Sequence, residues 1–344
     1  MKEVNYSEFL TLVKKLFSFT PPASMLVKGR AGIGKSSIIK SLEKEGIRVV
    51  DIRAINYDVG DLVLKIPNEH SLKNMYAKWL YELSTTNEPT VLLLDEFDKA
   101  TPAIQRIFYQ VILDREVEGL KLSPHVAIVA IENTSEDGSF SEVEREKPLF
   151  DRFMFRVVLE PNLQEWTEWA LSNSIDRRII AFLNRFPKNF YIENEEKLIA
   201  TPRRWEMLSN VIKDVSDLRE VEFLTSTVVA PEIATMFKKF IELQEKFDIP
   251  AIIQGKKKIP EKLDEQYAII PGITHYLAKN QTFLKQFLSR VENEFEAECI
   301  VLFLRMLITD IAVENNTSRD TVKQKLIQIP EFNNLLKYLV KEVM

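Results

Sequence analysis

With 344 residues, 45% apolar and 28% charged, the chain has the composition of a globular protein with room for two or three domains. A net charge of −5 excludes a chain-wide basic surface for nucleic acid, although it leaves room for a local one. Cys299 is the single cysteine, so an intrachain disulfide is excluded, and the apolar run at residues 299–304 stops at Arg305, too short to span a bilayer.

The chain starts with mixed polar sequence rather than a secretory leader, so a cytoplasmic location is expected. Residues 5–17 read as an amphipathic helix, with Asn5 as cap, Glu8 three positions on, and Phe9, Leu10, Val13, Leu16 and Phe17 on one side. Pro21-Pro22 stop it, and Met25-Leu26-Val27 follow as a short buried strand. Then comes Gly29-Arg30-Ala31-Gly32-Ile33-Gly34-Lys35-Ser36, followed by Ser37, which matches the phosphate-binding pattern G-x-x-x-x-G-K-[ST]. Three of the nine glycines of the chain fall here, where the backbone needs freedom and close approach to a ligand. Backbone amides of such a turn cradle nucleotide phosphates, Lys35 would reach the β/γ-phosphates of ATP, and the Ser36 hydroxyl would ligate Mg²⁺.

Residues 47–52 read as a second strand, 54–74 as polar and irregular, and 75–83 as helix. Thr90-Val91-Leu92-Leu93-Leu94 form an aliphatic strand ending in Asp95 and Glu96. A strand buried on both faces suits a parallel sheet, whose ligand chemistry gathers beyond the strands' carboxyl ends. There Asp95 would hold Mg²⁺, and Glu96 would polarise an attacking water as general base. Residues 101–113 read as a helix with Pro102 in its first turn, 116–122 as a small hairpin around Gly119, and 126–131 as a buried strand. Asn133, in the turn beyond that strand, is a candidate to hydrogen-bond the water or the γ-phosphate. Residues 134–147 read as an acidic surface loop, and 155–159 as a fifth strand.

Alternation of strands and helices to about residue 160 predicts an α/β domain with a mainly parallel sheet. Helical periodicity takes over from Glu165, and its Trp and Phe residues read as core. Thr201-Pro202 open a helix that carries Arg203 and Arg204 at its start, where side chains can point at an anion. Residues 254–260 read as a lysine-bearing linker, and the remainder as helices with an apolar stripe at Ile300, Phe303, Leu304, Leu307, Ile308 and Ile311. The expected organisation is an α/β nucleotide-binding domain at 1–160, helices at 161–245 and a helical C-terminal region at 246–344.

Up to about residue 240 the sequence resembles the AAA+ ATPases, most closely the MoxR-like branch. GRAGIGKSS, VLLLDEFDKA, VAIVAIEN, LFDRF and ATPRRWEML occur in the family's order. The resemblance implies a P-loop αβα core followed by an α-helical lid at 161–245. It makes Lys35, Ser36, Asp95 and Glu96 the Walker A and B residues and Asn133 the sensor 1 residue. Arg152 would be the finger that reaches a neighbouring subunit's γ-phosphate, and Arg203 the sensor 2 residue on the lid, with Arg204 as the fallback. The hairpin at 116–122 looks like the insert that MoxR-like proteins carry in helix 2. The chain departs from the branch at residues 139–148, where a Gly-Thr-Tyr-Pro-Leu-Pro-type segment is usual.

The leading expectation is an Mg²⁺-dependent ATPase forming a homo-oligomeric ring, a hexamer by resemblance, that remodels a protein client. By resemblance, that client carries a von Willebrand A-type domain. A DNA-remodelling motor or helicase loader ranks lower, because Arg115, Glu116, Glu118 and Lys121 in the hairpin region are mixed rather than basic. A nucleotide-gated scaffold with little turnover would lack Glu96 or Arg152. A small-molecule kinase would not need the Asn133, Arg152 and Arg203 series, and a GTPase would carry an Asn-Lys-x-Asp motif, which is absent.

Overall fold

The computed structural model describes residues 1–134, 152–193 and 198–341, which divide into two compact units at 1–162 and 163–344. The expected acidic loop at 134–147 lies, beyond Thr134, outside the described residues, as do residues 149–151 of the Leu-Phe-Asp-Arg-Phe turn.

The first unit opens with β1 (Lys2–Val4) and α1 (Tyr6–Lys15). Asn5 and Glu8 cap α1 reciprocally: Asn5 Oδ1 accepts from the Glu8 amide at 2.9 Å and Glu8 Oε2 from the Asn5 amide at 3.1 Å. Next come β2 (Ser24–Gly29), α2 (Lys35–Lys40), β3 (Arg48–Arg53), α3 (Val59–Leu62), β4 (Val63–Asn68), β5 (Ser71–Tyr76) and α4 (Lys78–Thr85). The unit continues through β6 (Thr90–Asp95), α5 (Pro102–Asp114), β7 (Glu116–Val117), β8 (Leu120–Lys121), β9 (Val126–Asn133) and β10 (Phe155–Leu159). Six strands form one sheet in the order β1-β10-β2-β9-β6-β3, with every neighbouring pair parallel. Val91, Leu92, Leu93 and Leu94 are all fully buried, so both faces of the sheet are covered. On one face Leu26, Leu92, Leu94, Ile128 and Ala130 pack into a core that includes Phe97 and Phe108.

Four sequence expectations change here. β1 adds a sixth strand at the sheet edge, in register with β10. The segment read as irregular contains α3 and the β4–β5 hairpin, and Met75 and Tyr76 belong to β5 rather than to the following helix. This hairpin interrupts the helical segment between β3 and β6. The hairpin at 116–122 exists as β7–β8, but it follows α5 and interrupts no helix, whereas β4–β5 lies between α3 and α4. Arg115 is not a hairpin surface charge. Its guanidinium is partly buried and donates to the carbonyls of Pro22, Ser123 and Val126, and desolvation lowers its pKa. The two hairpins are joined through Glu118, whose carbonyl accepts from Tyr76 Oη at 2.8 Å and Asn74 Nδ2 at 2.9 Å.

The second unit holds α6 (Leu163–Ser172), α7 (Arg177–Arg185), β11 (Ile192–Glu193), β12 (Leu198–Ala200), α8 (Pro202–Ile212), α9 (Leu218–Val228) and α10 (Pro231–Glu245). It continues with α11 (Ile249–Ile253), α12 (Leu263–Lys279), α13 (Leu284–Glu294), α14 (Ala297–Glu314), α15 (Arg319–Ile327) and α16 (Pro330–Lys341). β11 and β12 pair antiparallel, and α10 and α14 both pack against α12, so helices on either side of residue 245 share one unit. Phe182 lies at the centre of an aromatic cluster, with ring centroids 5.9 Å from Trp205, 5.1 Å from Phe237 and 5.7 Å from Phe240. The stretch read as a linker, 254–260, exposes residues 255–258 but is fastened to the helices around it. Ile259 is buried, its amide donates to Glu294 Oε2 at 3.1 Å, and Arg290 donates to the carbonyls of Ile252 and Lys257.

Cys299 is fully buried on α14, and burial pushes its thiol pKa up, so it should stay inert to a thiol reagent until this unit opens. Trp205→Ala removes a fully buried indole whose Nε1 donates to the Asn189 carbonyl at 3.0 Å. It is expected to cost about 3–5 kcal/mol, measured by guanidinium unfolding followed through Cys299 labelling.

Candidate nucleotide site

The site begins where β2 stops. Gly29 pairs with Leu159 on one side and Asn133 on the other. A Cβ at Gly29 would sit 2.7 Å from the Leu159 carbonyl oxygen, so only glycine fits between the strand ends. Gly32 and Gly34 have φ of 78° and 92°, the left-handed turn that swings the chain from strand into α2. Arg30 and Ala31 are half-buried between them and Gly29, Ile33 is buried, and Ser37 faces out of the first turn of α2.

Lys35 is only 6% exposed. Its Nζ donates to the Gly29 carbonyl at 2.7 Å, the Arg30 carbonyl at 2.8 Å and Asn133 Oδ1 at 2.9 Å. These three acceptors are neutral carbonyl and amide oxygens that position the ammonium. Asn133 is the last residue of β9 rather than part of a turn beyond it, and that placement brings it to the loop.

Ser36 Oγ donates to Asp95 Oδ2 at 2.7 Å, while Asp95 Oδ1 accepts the Glu96 amide at 2.9 Å. A hydroxyl and a carboxylate at this separation are the hard oxygen donors that suit Mg²⁺. Among the described residues no group of three or more His, Cys, Asp or Glu residues could hold a metal. An ion here would complete its shell with phosphate oxygens and water, as Mg²⁺ does in phosphate sites. Glu96 has φ 51°, turning the chain sharply out of β6, and Lys99 Nζ lies 3.3 Å from its Oε1. Burial raises the pKa of the Asp98 carboxyl, which the nearby Lys99 and Lys35 charges oppose.

The structure therefore brings Lys35, Ser36, Asp95 and Asn133 together at the carboxyl ends of β2, β6 and β9, with Glu96 directly after β6. Arg152 precedes β10 in the same unit. Its carbonyl accepts from Ser24 Oγ at 3.3 Å, and its guanidinium stacks on the Tyr109 ring at 4.8 Å from the centroid. Arg203 and Arg204 belong to the second unit. Thr201 Oγ1 accepts the Arg204 amide at 3.2 Å to cap α8, as the sequence suggests. Arg203 is exposed, whereas Arg204 Nη1 donates to the Val228 carbonyl at 2.8 Å. Sequence reading missed Lys99, although its i, i+3 spacing from Glu96 was visible. It also missed Lys28 and Glu132, which interrupt otherwise aliphatic strands.

A parallel sheet with β2 leading into this loop, and a carboxylate pair at the end of β6 on the far side of β9, defines the class: a P-loop NTPase fold. Residues 25–160 match the family model described as "ATPase family associated with various cellular activities (AAA)". Among solved structures, the chain is similar to NtrX from Brucella abortus in complex with ADP, at 14% identity and a TM-score of 0.41, covering 94% of this chain and 68% of that one. NtrX from the same organism in complex with ATP matches at 14% identity and a TM-score of 0.40, with the same coverage. A mutant form of RuvB from Thermotoga maritima matches at 14% identity and a TM-score of 0.37, covering 93% of this chain and 88% of that one. No curated protein matches the chain. Among the described residues no helix is long and apolar enough to cross a membrane.

Ser36→Ala and Asp95→Asn should each weaken ATP binding in the presence of Mg²⁺ by roughly tenfold or more. Binding measured in EDTA with a fluorescent ATP analogue should change little, because only the metal-dependent part of the affinity is lost.

Proposed function

We propose that the chain is an Mg²⁺-dependent ATPase of the AAA+ type that assembles into a ring and remodels a protein partner. The observation that carries the reading is the Lys35–Asn133 contact beside the Ser36–Asp95 contact, with Glu96 next in sequence. Water attacks the γ-phosphorus in line, the bond to the ADP oxygen breaks, and the proton of the water passes to the Glu96 carboxylate. Lys35 balances charge on the β- and γ-phosphates, and the Asn133 amide orients the water or a γ-oxygen. Ser36 and Asp95 would hold Mg²⁺, which neutralises phosphate charge when bound.

Arg152, stacked on Tyr109 in an isolated chain, is the finger we assign to a neighbouring copy's γ-phosphate. An arginine supplied in trans contributes on the order of 10³–10⁵ in turnover, so a monomer would be nearly inactive. Arg203 is the sensor 2 residue of choice because Arg204 is committed to the Val228 carbonyl. In this reading residues 161–245 act as the lid and 246–344 extend it. The hexamer, the MoxR-like branch and a client bearing a von Willebrand A-type domain rest on the order of the sequence motifs.

ATP turnover should rise with protein concentration and be lost in both Glu96→Gln and Arg152→Ala. An equimolar mixture of the two variants should recover part of it, because some interfaces then pair an intact Glu96 with an intact Arg152. Turnover that is independent of concentration and survives Arg152→Ala would overturn the shared-site ring.

A further inference from the structure

Strands β2 and β9 are aliphatic and buried over Met25–Val27 and Val126–Ile131, until both become charged at the same step of their register. There Lys28 pairs with Glu132 across the ladder, Nζ to Oε2 at 3.5 Å, with side chains only 15% and 8% exposed. The next step pairs Gly29 with Asn133. One residue further, the Thr134 amide donates to the Gly29 carbonyl at 3.1 Å, the same oxygen that accepts from Lys35 Nζ at 2.7 Å. Successive strand residues face opposite sides, so Lys28 and Glu132 lie on the sheet face of Leu26, Ile128 and Ala130, away from the Asn133 side chain.

We propose that Lys28 and Glu132 are a positioning pair that locks the register of β2 against β9 and so holds Asn133 on Lys35. The inference rests on the ATPase reading of those two residues. Desolvation offsets most of the attraction in a buried ion pair, and an apolar pair of similar volume is commonly no less stable. Stability therefore does not account for two charges in these strands, whereas register does. A slip of one residue sends every side chain to the opposite face, and Asn133 would then leave Lys35. A charge pair is satisfied in a single register.

The test compares wild type with the double variant Lys28→Met/Glu132→Leu and the reversed pair Lys28→Glu/Glu132→Lys. Melting temperature, kcat and KM for ATP are measured in the full chain. The apolar double variant is expected to melt at or above wild type, while its kcat falls about tenfold or more and KM changes by less than about threefold. The reversed pair restores kcat to within about threefold of wild type. An apolar variant with wild-type kcat, or a reversed pair no better than the apolar one, overturns the proposal. The ATPase reading fails separately, if Glu96→Gln turns over ATP like wild type. In that event crystal structures of the apolar double variant decide: Asn133 Oδ1 still bonded to Lys35 Nζ overturns the positioning role, and loss of that bond upholds it.

Discussion

The Lys35 ammonium ties the phosphate loop to the strand beside it, and the arrangement of the α/β unit follows from what that contact demands. Its acceptors come from the end of β2, the start of the loop and the end of β9, so it exists only while two parallel strands end at the same level. A hydrogen bond to a charged group is worth about 1.5–3 kcal/mol, so the loop is held in shape before any phosphate arrives. A nucleotide bound here would take over part of this coordination. Gly29 has the least freedom of any residue here, because its carbonyl serves Lys35 and the Thr134 amide together while its Cα leaves no room for a side chain.

The second consequence is a division of labour between adjacent carboxylates. Asp95 ends β6 and has both oxygens engaged, one by Ser36 and one by the Glu96 amide, which holds the carboxylate in place. Glu96 leaves the strand through a left-handed turn, and its side chain meets a half-exposed lysine. A surface pair of this kind is weak, so Glu96 remains free to reorient where Asp95 does not. Neighbours in sequence thus meet different partners, two hydrogen-bond donors for Asp95 and one surface lysine for Glu96.

Features that express a strong local preference were legible in the sequence. The aliphatic strands of the sheet centre, the glycine-rich loop, the Asn5–Glu8 cap and the Thr101-Pro102 and Thr201-Pro202 helix starts all carry their physics in a few adjacent residues. What escaped depends on partners distant in the chain. β1 is three residues long and exists because β10 offers its edge. The β4–β5 hairpin is exposed along most of both strands and contains Pro67, so no alternation of burial marks it. The lysines at 256–258 look like linker composition, yet Arg290 and Glu294 on α13 fasten the backbone around them. Arg115 carries a charge that composition assigns to the surface, but three backbone carbonyls draw it inside.

Helix α5 runs between Glu96 and Arg115, two of the non-glycine residues of this unit that take a left-handed backbone. It starts six residues after Glu96 and ends at Arg115, whose φ of 57° throws the chain into β7. Its 13 residues make a rod about 20 Å long. A tilt of about 5° at the Thr101 end therefore displaces the far end by roughly 2 Å, by the leverage of a rigid rod of that length. Glu118 is hydrogen-bonded to Asn74 and Tyr76, which ties the β4–β5 hairpin to that end. The unit has the anatomy of a lever, with its fulcrum beside the carboxylates and two hairpins riding as one load on its long arm.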